Sequence, residues 1–230
     1  MVFEFFSPGL PQICKNAGAE FVLYDMEHTG LEFETVKIQL ALCRGLALVP
    51  MVRVPRGDYH FIARALDIGA LGVMVPMVGT RAEAEYHVSC TRYPPQGRRG
   101  AAFGFAHDDY QGGDIGSKMI ALHARTLLIA QIETDEGLRN VEAIAAVAGV
   151  DALWIGQFDL TNFMGIRDSS DIAITWPGSI ASSPPAPPTA RPRRFLPSTT
   201  SGRANTRRKG FVSWPTASII CCCRMLCAAA

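Results

Sequence analysis

Acidic residues vanish from this chain after Asp171, and that absence divides its 230 residues into two unlike parts. Beyond it, Arg191, Arg193, Arg194, Arg203, Arg207, Arg208, Lys209 and Arg224 contribute +8; the whole chain is +1, so the part before carries −7. A total this near zero argues against a general attraction to polyanions, and no nucleic-acid partner is expected. Long apolar runs are missing as well. The longest towards the end, around ASIICCC, is too short to span a bilayer, so no membrane partner is expected. MVFEFF has no basic n-region and meets Pro8 and Pro11 at once, so no secretory leader is read and a cytoplasmic location is expected. Charge is sparse at 19% against 48% hydrophobic residues, the balance of a globular chain with one large core or two small domains. Cys14, Cys43 and Cys90 are scattered through helical contexts and read as buried thiols of a reducing compartment. Cys221, Cys222, Cys223 and Cys227 crowd together at the end without the spacing of a zinc knuckle.

What is present, up to about Ile166, is an alternation of short apolar runs with helical periodicity. Val2 to Phe6 is a possible strand remnant, followed by a helix near Pro8 to Ala17. Strands are predicted over Glu20 to Asp25, Leu46 to Arg53 and Gly72 to Pro76. Helices are predicted over Leu31 to Arg44, Tyr59 to Asp67 and Thr80 to Cys90. Arg92 to Gly116 is rich in Gly, Pro and Asp and reads as a long loop with a short strand at best. LLIAQI and ALWI then flank a helix over Glu136 to Val147. Strands of this kind, apolar without alternation, are buried on both faces, and βα alternation at this pitch argues for a parallel α/β fold. Six strands suit an open doubly wound sheet or most of a (β/α)8 barrel. Polar residues close nearly every strand, which favours the barrel, because only there do all strand ends converge on one site.

Those strand ends hold the candidate chemistry. Glu133 and Asp159 each follow an apolar run and are hard oxygen donors about one strand apart, suited to Mg2+ or Mn2+; helix capping is the plainer reading. Asp25 and His28 in DMEHTG could form an acid–imidazole base, although a loop histidine is more often solvated. Arg53 ends its strand where an unpaired guanidinium is costly to bury, so it needs a neighbouring carboxylate or an anionic substrate. Arg98 and Arg99 in YPPQGRRG suggest an anion-binding loop, with a solvated turn the plainer reading. His60, His87, His107 and His123 are read as solvated. No lysine closes an assigned strand, which disfavours a Schiff base.

Six stretches, GAEFVLYDMEHTG, PMVRVPRGD, DIGALGVMVPMVGTRAEAE, TRYPPQGRRG, LLIAQIETDEGL and GVDALWIGQFDLTNFMG, together resemble the HpcH/HpaI family of metal-dependent pyruvate aldolases, in the family's order over about residues 1 to 165. The resemblance implies an oligomeric (β/α)8 barrel that cleaves a 4-hydroxy-2-oxo acid to pyruvate and an aldehyde, as in aromatic compound catabolism. It assigns Glu133 and Asp159 as ligands of Mg2+ or Mn2+, with Co2+ also possible. Arg53 is then the pyruvate-binding arginine, and Asp25 and His28 the base system. Gln131 matches a polar position beside the metal, and Phe158 and Asp159 fall with Arg53 and Gln131 on the substrate side. A citrate-lyase-like carbon–carbon lyase and an inactive remnant are the alternatives.

The family pattern stops near Ile166. The Pro-, Ser- and Arg-rich 167–230 segment is expected to be a non-native tail from a frameshift near Ile166 to Arg167. Codons exist under which KGFVSWPTASIICCCRMLCA, read in another frame, becomes GFRVLAYGVDHLLLQDALR, a strand and amphipathic helix of the family's kind. The barrel over 1–166 is then incomplete, with about six β/α units. Its sheet edges, beside Val2 to Phe6 and beside Ala152 to Ile155, are expected to be exposed.

Overall fold

The computed structural model describes residues 1–165 in full and, beyond them, the backbone of two strands, Arg193–Pro197 and Ser218–Cys222. Five strands in the first part, β1 (Phe21–Asp25), β2 (Val49–Arg53), β3 (Gly72–Val75), β4 (Leu127–Ile132) and β5 (Ala152–Ile155), pair in parallel. Each hydrogen-bonds to the next in chain order. That order decides what periodicity left open. A doubly wound sheet reverses its strand order at a switch point, whereas a barrel adds each strand on the same side of the last. The chain follows the barrel pattern.

Helices cross between the strands: α1 (Leu10–Asn16), α2 (Phe33–Leu42), α3 (Tyr59–Asp67), α4 (Arg81–Thr91), α5 (Ile115–Arg125), the short pair α6 (Asp135–Arg139) and α7 (Val141–Ala145), and α8 (Gln157–Phe163). Thr80 and Glu83 form a reciprocal capping box that starts α4, and the Asp114 carboxylate accepts from Ser117 N to start α5. Sequence periodicity gave no helix over α5, because the Gly-rich segment before it masked the start. The single helix predicted over Glu136 to Val147 is broken at Asn140. One other expectation is corrected. Val2 to Phe6 is no strand; Val2 alone bridges to Tyr24. The long loop is found as expected: it holds a 3-10 turn, Ala106–Asp108, and no strand, and α5 begins at its end.

The two-residue repeat of the strands sorts their side chains into two packed layers. Val22, Tyr24, Val52, Val73, Val75, Leu128, Ala130, Ile132, Leu153 and Ile155 pack outward with the helices. Leu23, Met51, Met74, Ile129 and Ala152 form a separate cluster on the other face, joined by Val49, Leu127 and Trp154. Gly72 keeps that inner layer close: a Cβ there would stand about 3.0 Å from Met51 and 3.1 Å from Leu127. Since Asp25, Arg53 and Gln131 lie two residues beyond Leu23, Met51 and Ile129, alternation puts them on the inner face, at the strands' carboxyl ends.

The outer edge of β5 is not exposed as expected. Strand β7 (Ser218–Cys222) pairs with it antiparallel, and β6 (Arg193–Pro197) pairs antiparallel with β7. A short apolar run can satisfy a free edge in either direction through the backbone alone. β1 and β6 are the two ends of the sheet order, so it does not close among the described residues. The frameshift boundary and the tail's cysteine cluster otherwise lie outside the described residues. Among the described residues no helix is long and apolar enough to cross a membrane.

Candidate active site

Arg53, at the end of β2, is the hub of the carboxyl-end rim. It is 4% exposed, and its Nε donates to Asp25 Oδ1 at 2.6 Å. Its Nη1 lies 3.0 Å from Glu27 Oε2 and 3.5 Å from Gln131 Oε1. β1 and β2 place Asp25 directly opposite Arg53 in the ladder, so the pairing follows from register. A buried guanidinium needs such partners, and breaking a pair of this kind costs about 3–5 kcal/mol. Burial acts against both ionised groups, yet their contact outweighs it. Asp25, which also accepts from the backbone N–H of Glu27 and His28, stays below the usual carboxylate range, and Arg53 is pushed further up by Asp25, Glu27 and Glu133.

Glu133 stands just past β4 and is 1% exposed. Its Oε1 accepts from Met77 N at 2.7 Å and its Oε2 from Gln131 Nε2 at 2.6 Å. Gln131 thus links Arg53 to Glu133. Met77 presents its N–H with a left-handed φ of 56°, an uncommon conformation for such a side chain and a local strain placed at the site. Gly156 is required on the other side, since a Cβ there would lie 2.4 Å from Glu133 Oε2.

Two carboxylates are strongly perturbed. Burial pushes Glu133 up to about 7, with Glu27 and Asp159 adding repulsion against the Met77 hydrogen bond and Arg53. Burial likewise pushes Glu27 up to about 7, aided by Asp25 and Asp159 and opposed by Arg53. Asp159 is half-buried in the first turn of α8, so it follows β5 by way of a helix start rather than ending the strand itself. Four carboxylates therefore share one region with a single guanidinium. That surplus of negative charge is what a divalent cation relieves, and Glu133 and Asp159 are carboxylates of the kind from which Mg2+ or Mn2+ takes one or two. The chemistry of these donors fits such an ion, although no group of three or more His, Cys, Asp or Glu side chains that could hold a metal occurs among the described residues.

The structure brings Asp25, Arg53, Gln131, Glu133 and Asp159 together. It corrects the base pair. Asp25 holds the backbone of His28, not its ring; the nearest carboxylate to the imidazole is Glu27, whose Oε2 is 3.6 Å from Nε2. His28 is half-exposed, and Phe158 is exposed at 63%. Glu27 escaped sequence reasoning although it sits between Asp25 and His28 in DMEHTG, where spacing of two from Asp25 was the available signal. Met77 could not have been found, because its role is played by its backbone N–H. Arg99, His87 and His107, read as solvated, are buried at 2%, 8% and 3% exposure. Among the described residues the lysines are Lys15, Lys37 and Lys118; Lys15 bonds Ala47 O and Lys118 pairs with Asp108, both away from this rim.

Comparison with known proteins shows the family. The model of the HpcH/HpaI aldolase/citrate lyase family matches residues 3–175, and the chain belongs to that family. It is 38% identical over 155 residues to a hydroxypyruvate/pyruvate aldolase of Roseobacter denitrificans, covering 67% of this chain and 60% of that one. A 5-keto-4-deoxy-D-glucarate aldolase of Shigella sonnei is 37% identical over 159 residues, covering 69% and 61%. Among solved structures, an HpcH/HpaI aldolase from Desulfitobacterium hafniense superposes with a TM-score of 0.68 at 28% identity, over 71% of this chain and 63% of that one. The chain thus spans about 60% of the length of the curated relatives it matches.

Proposed function

We propose that residues 1–166 carry the site of a divalent-metal-dependent aldolase that cleaves a 4-hydroxy-2-oxo acid to pyruvate and an aldehyde. The observation that carries this reading is the chain of contacts from Asp25 through Arg53 and Gln131 to Glu133, with Asp159 beside it. It sets one fixed positive group next to a carboxylate cluster with capacity for a divalent ion, the two features that recognise a 2-oxo acid. The names of the relatives, which act on pyruvate, hydroxypyruvate or a keto-deoxy sugar acid, support the same substrate class.

Arg53 orients the 2-oxo acid and holds positive charge near the oxygen that becomes anionic as the carbon–carbon bond breaks. The metal, held by Glu133 and Asp159, would add Lewis-acid stabilisation of that developing charge. His28 accepts the proton of the hydroxyl whose carbon becomes the aldehyde, with the Glu27 carboxylate 3.6 Å from its ring nitrogen. Gln131 keeps Arg53 and Glu133 in register. Phe158, exposed one residue before Asp159, belongs to the substrate side.

The test is pyruvate release from a hydroxy-oxo acid, with Mg2+, Mn2+ or Co2+ and after chelation. Metal-dependent release that chelator abolishes is expected, and release indifferent to chelator would refute the metal's role. The antiparallel pairing of β7 where the parallel series ends supports a second reading: 167–230 arises from a displaced frame and the chain is an inactive remnant. No release under any metal favours the remnant. Sequencing the coding DNA around Ile166 tests the frame directly, and codons that forbid the shifted peptide would dismiss it.

A further inference from the structure

At the amino ends of the strands, opposite the rim of Arg53, lies a cavity of about 370 Å³. Its floor is apolar, with Leu48, Leu66 and Leu122; its polar wall is Arg44, Arg99 and Arg125. Arg99 is 2% exposed, pairs with Asp67 at 2.7 Å and lies over the Tyr93 ring, yet its buried Nε has no hydrogen-bond partner. The Nε of Arg125 is buried and unpartnered too. Arg44 donates to the backbone carbonyl of Ala106 at 2.5 Å, and its carboxylate contact, with Asp109, is loose. Asp109 stands between Arg44 and Arg125 at 3.5 and 3.9 Å, too far for good hydrogen bonds, and is 51% exposed.

The remaining charged neighbours leave the surplus positive. Asp108 is taken by Lys118 at 2.7 Å, and burial together with Arg99 disfavours the charged form of His107, which also lines the wall. Three guanidiniums thus face two carboxylates, Asp67 and Asp109. Buried N–H donors left unmade are costly, and the relief available to them is an anion. The volume is that of a small-molecule pocket, and the leucine floor suits an apolar body more than a bare inorganic ion.

We propose that this cavity binds a small organic carboxylate, its oxygens among Arg44, Arg99 and Arg125 and its apolar body against Leu48, Leu66 and Leu122. The site is independent of the aldolase reading. Arg44 and Arg125 are partly exposed, so Arg44→Gln and Arg125→Gln keep the fold, to be verified by thermal melting. Calorimetric titration of the full metal-free chain with benzoate, benzamide and inorganic phosphate tests it. Benzoate is expected to bind, about tenfold more weakly to the Arg44→Gln/Arg125→Gln double variant, and equally well to Glu133→Gln at the other end of the strands. Benzamide is expected not to bind. Benzoate binding that survives the double substitution, or is lost in Glu133→Gln, would overturn the site. Phosphate binding as tight as benzoate would overturn the organic ligand.

Discussion

The two ends of the parallel strands carry opposite surpluses of charge. At the carboxyl ends Asp25, Glu27, Glu133 and Asp159 share a single guanidinium, Arg53, and two of the acids are forced towards neutrality by burial and one another. At the amino ends Arg44, Arg99 and Arg125 share Asp67 and Asp109, with two guanidinium N–H groups left over. One end is short of positive charge and the other of acceptors. The difference teaches that a barrel-type sheet can carry opposite charge surpluses at its two ends, since its apolar strand layers separate them.

Substitutions at matched positions break the comparison in different ways. The largest effect is expected for Arg53→Ala, which strands Asp25 without its partner in the core. A loss of about 3–5 kcal/mol, or about 10 °C in melting temperature, should appear in thermal denaturation, together with loss of pyruvate release. Glu133→Gln should separate activity from stability. Aldolase turnover is expected to fall by at least about 100-fold, while the metal-free chain melts higher at pH 8 because a repelled buried charge is gone. An Arg53→Ala chain as stable as the parent would show that the rim pairing is not a structural tie.

The pH dependence sharpens the same contrast. Glu27 and Glu133 have folded values raised to about 7 from 4.5, so the folded chain holds protons that the unfolded one releases. Their contribution favours folding below about pH 4.5, weakens as pH rises, and is at its worst above 7. Metal-free melting temperature is therefore expected to rise between pH 8 and 5, and millimolar Mg2+ should flatten the slope by binding the ionised carboxylates. A slope that Mg2+ leaves unchanged would separate these acids from the metal. Gly156→Ala, whose Cβ crowds Glu133 Oε2, should weaken the apparent metal affinity about 10-fold, as lost ligand positioning does, read from activity against Mn2+ concentration. Smallest is Arg125→Gln at the other end, expected to change stability by less than about 0.5 kcal/mol; equilibrium unfolding in urea checks it.

Much of this was legible in the sequence. The five strands and most helices announced themselves through apolar runs and 3.6-residue spacing, and the strand-end residues Asp25, Arg53, Gln131 and Glu133 were all singled out. The partnerships were not legible. DMEHTG suggested that Asp25 steers the His28 ring, yet register commits Asp25 to Arg53 across the ladder and leaves Glu27 near the imidazole. YPPQGRRG looked solvated because Gly and Arg are common in surface turns, but Arg99 folds back on Tyr93 and Asp67 from a distant helix.

The sequence by itself determined the βα rhythm and which residues stand at strand ends, because both follow from local periodicity and the alternation of a strand. Tertiary structure alone decided the barrel-type strand order, the ion pair that fixes Arg53, the Met77 N–H turned onto Glu133 and the arginine-lined cavity. Each of these depends on contacts between segments tens of residues apart, and no local pattern encodes which distant group will meet a buried charge.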